Sequence, residues 1–154
     1  MILYCTNIQY KIMNTPIPIP ISKPIQLTCF TGTVQAGFPS PAADYAQKRI
    51  NLNEHLLLNE QASFLFRVRG ESMLGIGIYD GDTLIVDRSI TPLHNHIVLA
   101  VVDEEFTVKR LYQRDGIIRL LAENPAYSTI ELSEGQELRI WGVVTFNLHK
   151  LLNV

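Results

Sequence analysis

Very little in this chain marks it for export, for a membrane or for nucleic acid. It has two cysteines, Cys5 and Cys29. Two thiols make neither a disulfide framework nor a metal-binding spacing, and a reducing, cytoplasmic setting fits them best. No apolar run approaches the ~18 residues or more that a spanning helix needs. A basic region followed by an unbroken apolar stretch is also missing, so neither a secretory leader nor a membrane anchor is expected. Acidic residues are absent from positions 1–43, where Lys11 and Lys23 are the only charges. Positions 44–154 reverse that balance, with 11 basic against 15 acidic residues. Binding to a phosphate backbone needs clustered Lys and Arg. Direct sequence-specific DNA binding is therefore not expected, and any link to nucleic acid is expected to run through a protein partner.

What is present suffices for one core and an arm. The chain has 154 residues, 47% hydrophobic and 18% charged, enough apolar surface to bury. Six of the eight prolines fall in the first 41 residues: Pro16, Pro18, Pro20, Pro24, Pro39 and Pro41. Proline removes a backbone donor and disfavours helix, so Ile17-Pro18-Ile19-Pro20-Ile21 reads as extended or polyproline-like. Residues 1–41 are read as a flexible N-terminal arm and 42–154 as the core.

Pro41 to about Leu58 is the helix candidate, through Ala42, Ala43, Tyr45, Ala46 and an apolar side at Leu52, Leu56 and Leu57. One short turn followed by an extended segment is the alternative. From Ala62 the pattern is β. Strands are expected at Phe64–Arg69, Thr83–Asp87, Ile97–Val102, Phe106–Leu111, Ile117–Ala122, Thr129–Leu132 and Leu138–Phe146. Asp103-Glu104-Glu105 reads as a three-residue hairpin loop. Short strands at regular spacing predict a compact, mostly β fold of largely antiparallel strands, partly barrelled or sandwiched.

Ser72 and Lys109 carry the candidate chemistry. Ser72 stands in Gly70-Glu71-Ser72-Met73, ahead of the turn Asp80-Gly81-Asp82. Lys109 stands mid-strand in Phe106-Thr107-Val108-Lys109-Arg110-Leu111. A serine hydroxyl is a weak nucleophile without a base. The four histidines, His55, His94, His96 and His149, lie in no obviously catalytic context. His94-Asn95-His96 lacks a third ligand and makes a poor metal site. Lysine can serve as the base once burial has lowered its pKa from about 10.4. Lys109 shares a strand face with Thr107 and Leu111, so it is desolvated if that face points inward. By itself, each residue is more often a turn serine or a solvent-facing strand lysine. Upstream, Ala36-Gly37 offers a small-residue bond in Thr33-Val34-Gln35-Ala36-Gly37-Phe38-Pro39-Ser40, where glycine poses no Cβ clash to a cleft.

Four motifs occur in order: Ala36-Gly37-Phe38-Pro39-Ser40-Pro41-Ala42, Gly70-Glu71-Ser72-Met73, Asp80-Gly81-Asp82-Thr83-Leu84-Ile85-Val86-Asp87 and Glu105-Phe106-Thr107-Val108-Lys109-Arg110-Leu111. Together they resemble the UmuD/MucA proteins, members of the LexA-like self-cleaving Ser–Lys peptidases. The likeness runs from about Gln35 to Phe146. It takes in Glu123-Asn124 with Ala126-Tyr127-Ser128, and Ile140-Trp141-Gly142-Val143-Val144. It implies the LexA-peptidase-like β fold. It also implies Ser72 as nucleophile, Lys109 as general base, backbone amides of Glu71 and Ser72 as the oxyanion hole, and Ala36-Gly37 as the bond cut. No cofactor and no metal are implied. The implied trigger is the RecA filament on single-stranded DNA. The implied product is a trimmed homodimer that joins a UmuC-like Y-family polymerase in error-prone translesion synthesis.

The chain departs from the family pattern at His94-Asn95-His96, at Leu74-Gly75-Ile76-Gly77 and in the arm before Ala36. Met13 to Ala36 spans 24 residues, nearer the usual arm length, which predicts translation from Met13. Other readings fit less well. A LexA-type repressor needs a helix-turn-helix before the cut bond, which a Pro-rich arm cannot supply. A signal peptidase needs a membrane anchor. A polymerase accessory subunit that no longer cuts would retain no need for Ser72, Lys109 and Ala36-Gly37 together.

Overall fold

A computed structural model describes residues 23–30, 36–37, 47–131 and 137–152. Two antiparallel sheets account for the strands among them. The first is a ribbon of β1 (Gln26–Phe30) and β2 (Gln47–Asn51), in register from Gln26 opposite Asn51 to Phe30 opposite Gln47. The second comprises β3 (Ser63–Arg67), β4 (Thr83–Asp87), β5 (Ile97–Val102), β6 (Glu105–Arg114), β7 (Ile117–Leu121), β8 (Ile130–Glu131) and β9 (Leu138–Leu148). Its order is β3-β4-β9-β5-β6-β7-β8, so the last strand of the chain is inserted between β4 and β5. The expectation of a mostly β fold of largely antiparallel strands is met.

Of the helix expected over 41–58, residues 47–58 hold one short segment, α1 (Leu52–Leu56). Residues 41–46 lie outside the described residues, as do Ile17–Ile21 and Met13. Gln47–Asn51 is strand because the ladder to β1 satisfies its backbone, which outweighs a helix propensity of a few tenths of a kcal/mol per residue. Asn51 then caps α1: its Oδ1 accepts the Asn53 N–H at 3.1 Å, and its Nδ2 donates to Glu54 Oε1 at 2.8 Å. The order is thus extended segment first and helical turn second.

Two hairpins of the large sheet, β5–β6 and β6–β7, use tight two-residue turns. Val102 pairs with Glu105, and Asp103 and Glu104 between them have φ of 47° and 70°. The expected three-residue loop is one residue shorter, and Glu105 opens β6. Asp115 and Gly116 repeat the device between Arg114 and Ile117, with φ of 51° and 75°. Two consecutive left-handed residues match the right-handed twist of the flanking strands.

Strand alternation builds two apolar clusters from the two faces of β5. Leu99 packs with Met73, Ile78, Leu84 and Val86. Val98 and Ala100 pack with Leu111, Leu120 and Val143. The large sheet is strongly curled. Phe66 on β3 meets Phe106 on β6 with ring centroids 5.6 Å apart, although β4, β9 and β5 stand between those strands in sheet order. Trp141 on β9 fills the inside of the curl, 5.0 Å from both Phe64 and Phe66. The curl leaves a cleft between β3 and β6.

Gly142 marks the tightest strand contact. It lies where the β5–β9 register shifts, and a Cβ there would stand 2.7 Å from Val86 Cγ1 and 3.0 Å from the Asp87 carbonyl oxygen. Gly142→Ala is expected to destabilise the fold by about 1–3 kcal/mol through overpacking. Urea unfolding measures this, and an unchanged midpoint would show that Val86 gives way freely.

Candidate active site

The loop that carries Ser72 is closed at its base. Val68 N–H donates to the Asp82 carbonyl at 2.8 Å, and Gly81 N–H donates to the Val68 carbonyl at 3.1 Å. Gly70 takes a φ of 94° that side chains rarely adopt, and its N–H donates to Asp80 Oδ1 at 2.7 Å. After Ser72 the chain makes one 3₁₀ turn, Leu74–Ile76, closed by Gly77 at φ 77°.

The far end of the loop hangs on Asp82, which is 3% exposed. Its Oδ2 accepts from Tyr79 N–H at 2.9 Å and from Asn147 Nδ2 at 2.8 Å, and its Oδ1 lies 2.5 Å from His149 Nδ1. Asn147 Nδ2 also donates to the Gly77 carbonyl at 2.9 Å. Burial alone would raise the pKa of this carboxyl. The bonds from Tyr79, His149 and Asn147 outweigh that and hold it below the ordinary range. The turn read from Asp80-Gly81-Asp82 is therefore also an anchor to the end of β9. Nothing in the sequence links Asp82 to Asn147 and His149, 65 and 67 residues away.

Lys109 sits opposite Val98 on β6 and is 7% exposed. The face that carries Thr107, Lys109 and Leu111 points inward, which meets the condition for a desolvated lysine and removes the solvent-facing reading. Lys109 Nζ lies 2.7 Å from Ser72 Oγ, 3.1 Å from Thr107 Oγ1 and 3.0 Å from the Val108 carbonyl oxygen. None of these partners is a carboxylate. Burial therefore acts unopposed and pushes the lysine pKa down. A neutral amine has two N–H groups and one lone pair. The Val108 carbonyl can only accept, and Thr107 Oγ1 can take the second N–H. The lone pair is then left for the Ser72 hydroxyl, the geometry a base needs.

Ser72 and Met73 line a cleft of about 200 Å³ together with Phe66, Phe106 and Val108. A short strap crosses beneath the serine. Asn124 Nδ2 donates to the Glu71 carbonyl at 2.8 Å, and Glu123 N–H donates to the Ser72 carbonyl at 2.9 Å. Gly75 N–H donates to the Glu123 carbonyl at 2.7 Å, so close that a Cβ on Gly75 would come within 2.3 Å of that oxygen. The Glu123 carboxylate pairs with Arg110, the neighbour of Lys109 on β6. Glu123 and Asn124 stood in the sequence only as part of a resemblance, with no role.

Ala36 and Gly37 are exposed and line no part of the cleft, and a Cβ on Gly37 would meet nothing within 4 Å. They fall in the connection between β1 and β2. His94 and His96 are not brought into a ligand set among the described residues. His94 Nδ1 accepts the Gln113 N–H at 3.2 Å, and His96 Nδ1 accepts the Leu93 N–H at 3.2 Å.

A serine hydroxyl held against a desolvated amine at the mouth of a curled antiparallel sheet belongs with serine peptidases. The comparisons agree. A family described as Peptidase S24-like matches residues 28–145, and the chain belongs to it. Within that family it groups with the UmuD/MucA proteins. It is 44% identical over 133 residues to Protein SamA of Salmonella typhimurium strain LT2, covering 85% of this chain and 92% of the relative. It is 41% identical over 122 residues to Protein ImpA of Salmonella typhimurium, covering 79% and 82%. It is 43% identical over 117 residues to Protein MucA of Escherichia coli, covering 75% and 79%.

The buried lysine has a thermodynamic signature. Its folded pKa is lowered, so between that value and the unfolded value of about 10.4 the unfolded state binds more protons. Stability therefore rises with pH across that window and is flat below it, where both states are protonated. Lys109→Met should lose this rise. Urea unfolding at a series of pH values from 7 to 10.5 checks it, and an equal rise in both proteins would place the titration elsewhere.

Proposed function

We propose that this protein is a self-cleaving serine peptidase of the SOS response that cuts its own Ala36-Gly37 bond. The observation that carries the proposal is the 2.7 Å approach of Lys109 Nζ to Ser72 Oγ, with the lysine 7% exposed. Ser72 Oγ attacks the Ala36 carbonyl carbon while its proton passes to the neutral Lys109 Nζ. The tetrahedral oxyanion is held by the Glu71 and Ser72 backbone amides. The C–N bond breaks as Lys109 returns the proton to the Gly37 nitrogen, leaving Ala36 as an ester on Ser72. Water, deprotonated by the same amine, hydrolyses the ester and frees Ser72.

The bond lies on a connection whose two ends are held together by the β1–β2 ribbon. Such a tether presents it at high effective concentration, which suits a reaction in which the substrate is the enzyme's own chain. The exposed setting of Ala36-Gly37 supports a gated reaction, in which the segment must move into the cleft before it is cut. The RecA filament on single-stranded DNA favours that movement. The trimmed chain, Gly37–Val154, then acts as a homodimer with a UmuC-like Y-family polymerase in translesion synthesis.

The test is intact mass after incubating pure protein at pH 10, repeated with RecA filaments. Wild type should yield a fragment that begins at Gly37. Ser72→Ala and Lys109→Ala should remain folded and lose cleavage by roughly 10³-fold or more, Lys109→Ala even at pH 10. Residual cutting at the same bond would remove the corresponding residue from its role. Gly37→Glu should block processing by obstructing the cleft, and normal processing of that variant would point to another bond.

A further inference from the structure

Two of the four groups assigned above are backbone amides, and an amide is useful only if something aims it. The peptide bonds of the described residues are all trans. In a trans peptide the carbonyl and the N–H point in opposite directions. The Glu71 carbonyl and the Ser72 N–H belong to one such peptide group. Asn124 Nδ2 holds the Glu71 carbonyl at 2.8 Å, closer than the Leu74 N–H that the same oxygen accepts at 3.4 Å, so the Ser72 N–H is turned away from Asn124. Among the described residues that N–H has no acceptor, which leaves it available to a substrate oxygen.

The Asn124 side chain cannot easily present its other end. Its Oδ1 accepts the Ala126 N–H at 3.0 Å, which fixes the amide's sense and leaves Nδ2 facing Glu71. The next peptide group along is fixed as well, since the Ser72 carbonyl accepts from Glu123 N–H at 2.9 Å. Two consecutive residues of one strap thus set the peptide planes on either side of the Ser72 Cα.

We infer that Asn124 is a positioning residue for this reaction: by holding the Glu71 carbonyl it aims the Ser72 N–H at the oxygen of the bond being cut. The inference rests on the reading of Ser72 as the nucleophile. It assigns Asn124 no contact with substrate and no proton to move.

Three variants separate the donor from the rest of the side chain. Asn124→Asp keeps the acceptor for Ala126 N–H and loses the donor to Glu71. Asn124→Ala loses both. Asn124→Gln retains an amide donor. Cleavage at Ala36-Gly37 is followed by intact mass from pH 7 to 10.5, with thermal unfolding of each variant alongside. Loss of one oxyanion donor typically costs about 10²–10³ in rate, and misaiming one should cost about 10–100-fold. Asn124→Asp and Asn124→Ala should both show that loss while unfolding cooperatively, and Asn124→Gln should recover part of the rate. Asn124→Ala exchanges one neutral side chain for another, so the pH midpoint set by Lys109 should stay in place. Cleavage by Asn124→Asp at the wild-type rate overturns the inference. So does a shifted midpoint in Asn124→Ala, or loss of cooperative unfolding in Asn124→Asp, since either makes the role structural. Wild type that fails to cut at any pH, with or without RecA filaments, removes the nucleophile reading itself, a different result from wild type and Asn124→Asp cutting alike.

Discussion

An ammonium group is at home in water and costly in a protein interior, and Lys109 is 7% exposed with no carboxylate among its hydrogen-bond partners. An ion pair would have met that cost by keeping the charge. Here nothing opposes the cost, so burial weakens the lysine's hold on its proton and the pKa falls. The rest of the site follows from this constraint. A neutral amine must have acceptors for its two N–H groups and a donor for its lone pair. In the neutral form Val108 and Thr107 can supply the first from its own strand, and Ser72 the second from a loop 37 residues earlier.

The serine must in turn be brought to the lysine, and a loop is a poor scaffold unless it is tied down. This one is tied at both ends. Asp82 anchors its far end through Tyr79, Asn147 and His149. The strap at Glu123 and Asn124 anchors its near end at Glu71, Ser72 and Gly75. Arg110 links that strap to the strand that carries Lys109. Glycine at position 75 is what lets the strap close, because any side chain there would collide with the Glu123 carbonyl. The departure from the family pattern at Leu74-Gly75-Ile76-Gly77 is thus compatible with a well-held site.

Strand positions were legible in the sequence because alternation and β-branching leave a strong local mark. Thr83–Asp87 and Ile97–Val102 were placed to the residue. The helix expected through 47–51 was not, because pairing of Gln47–Asn51 with β1 is a non-local effect that propensity does not see. The loop before β6 was read one residue too long, since Glu105 gives no local sign of opening the strand; φ values of 47° and 70° at Asp103 and Glu104 place the turn there. For the site, Ser72 and Lys109 stood out only through motif order; in isolation each had an ordinary reading. The anchors at Asn147, His149, Glu123 and Asn124 had no sequence signal of their own. They act across 48 to 70 residues of chain, through side-chain and backbone groups that no motif displays.

A peptidase whose substrate is itself has a problem that ordinary enzymes lack: the substrate is always present. In the proposed reading the restraint cannot come from an incomplete dyad, since Lys109 Nζ already stands 2.7 Å from Ser72 Oγ. It falls instead on the bond, which is exposed and outside the cleft. The observed rate is then the intrinsic rate multiplied by the fraction of molecules with Ala36-Gly37 seated. A partner that binds the seated form more tightly raises that fraction without touching the chemistry, and can raise the rate only as far as the reciprocal of the resting fraction. High pH and a partner therefore act on different factors of one product. One supplies neutral lysine and the other supplies the seated bond, so each should still accelerate cleavage when the other is already present.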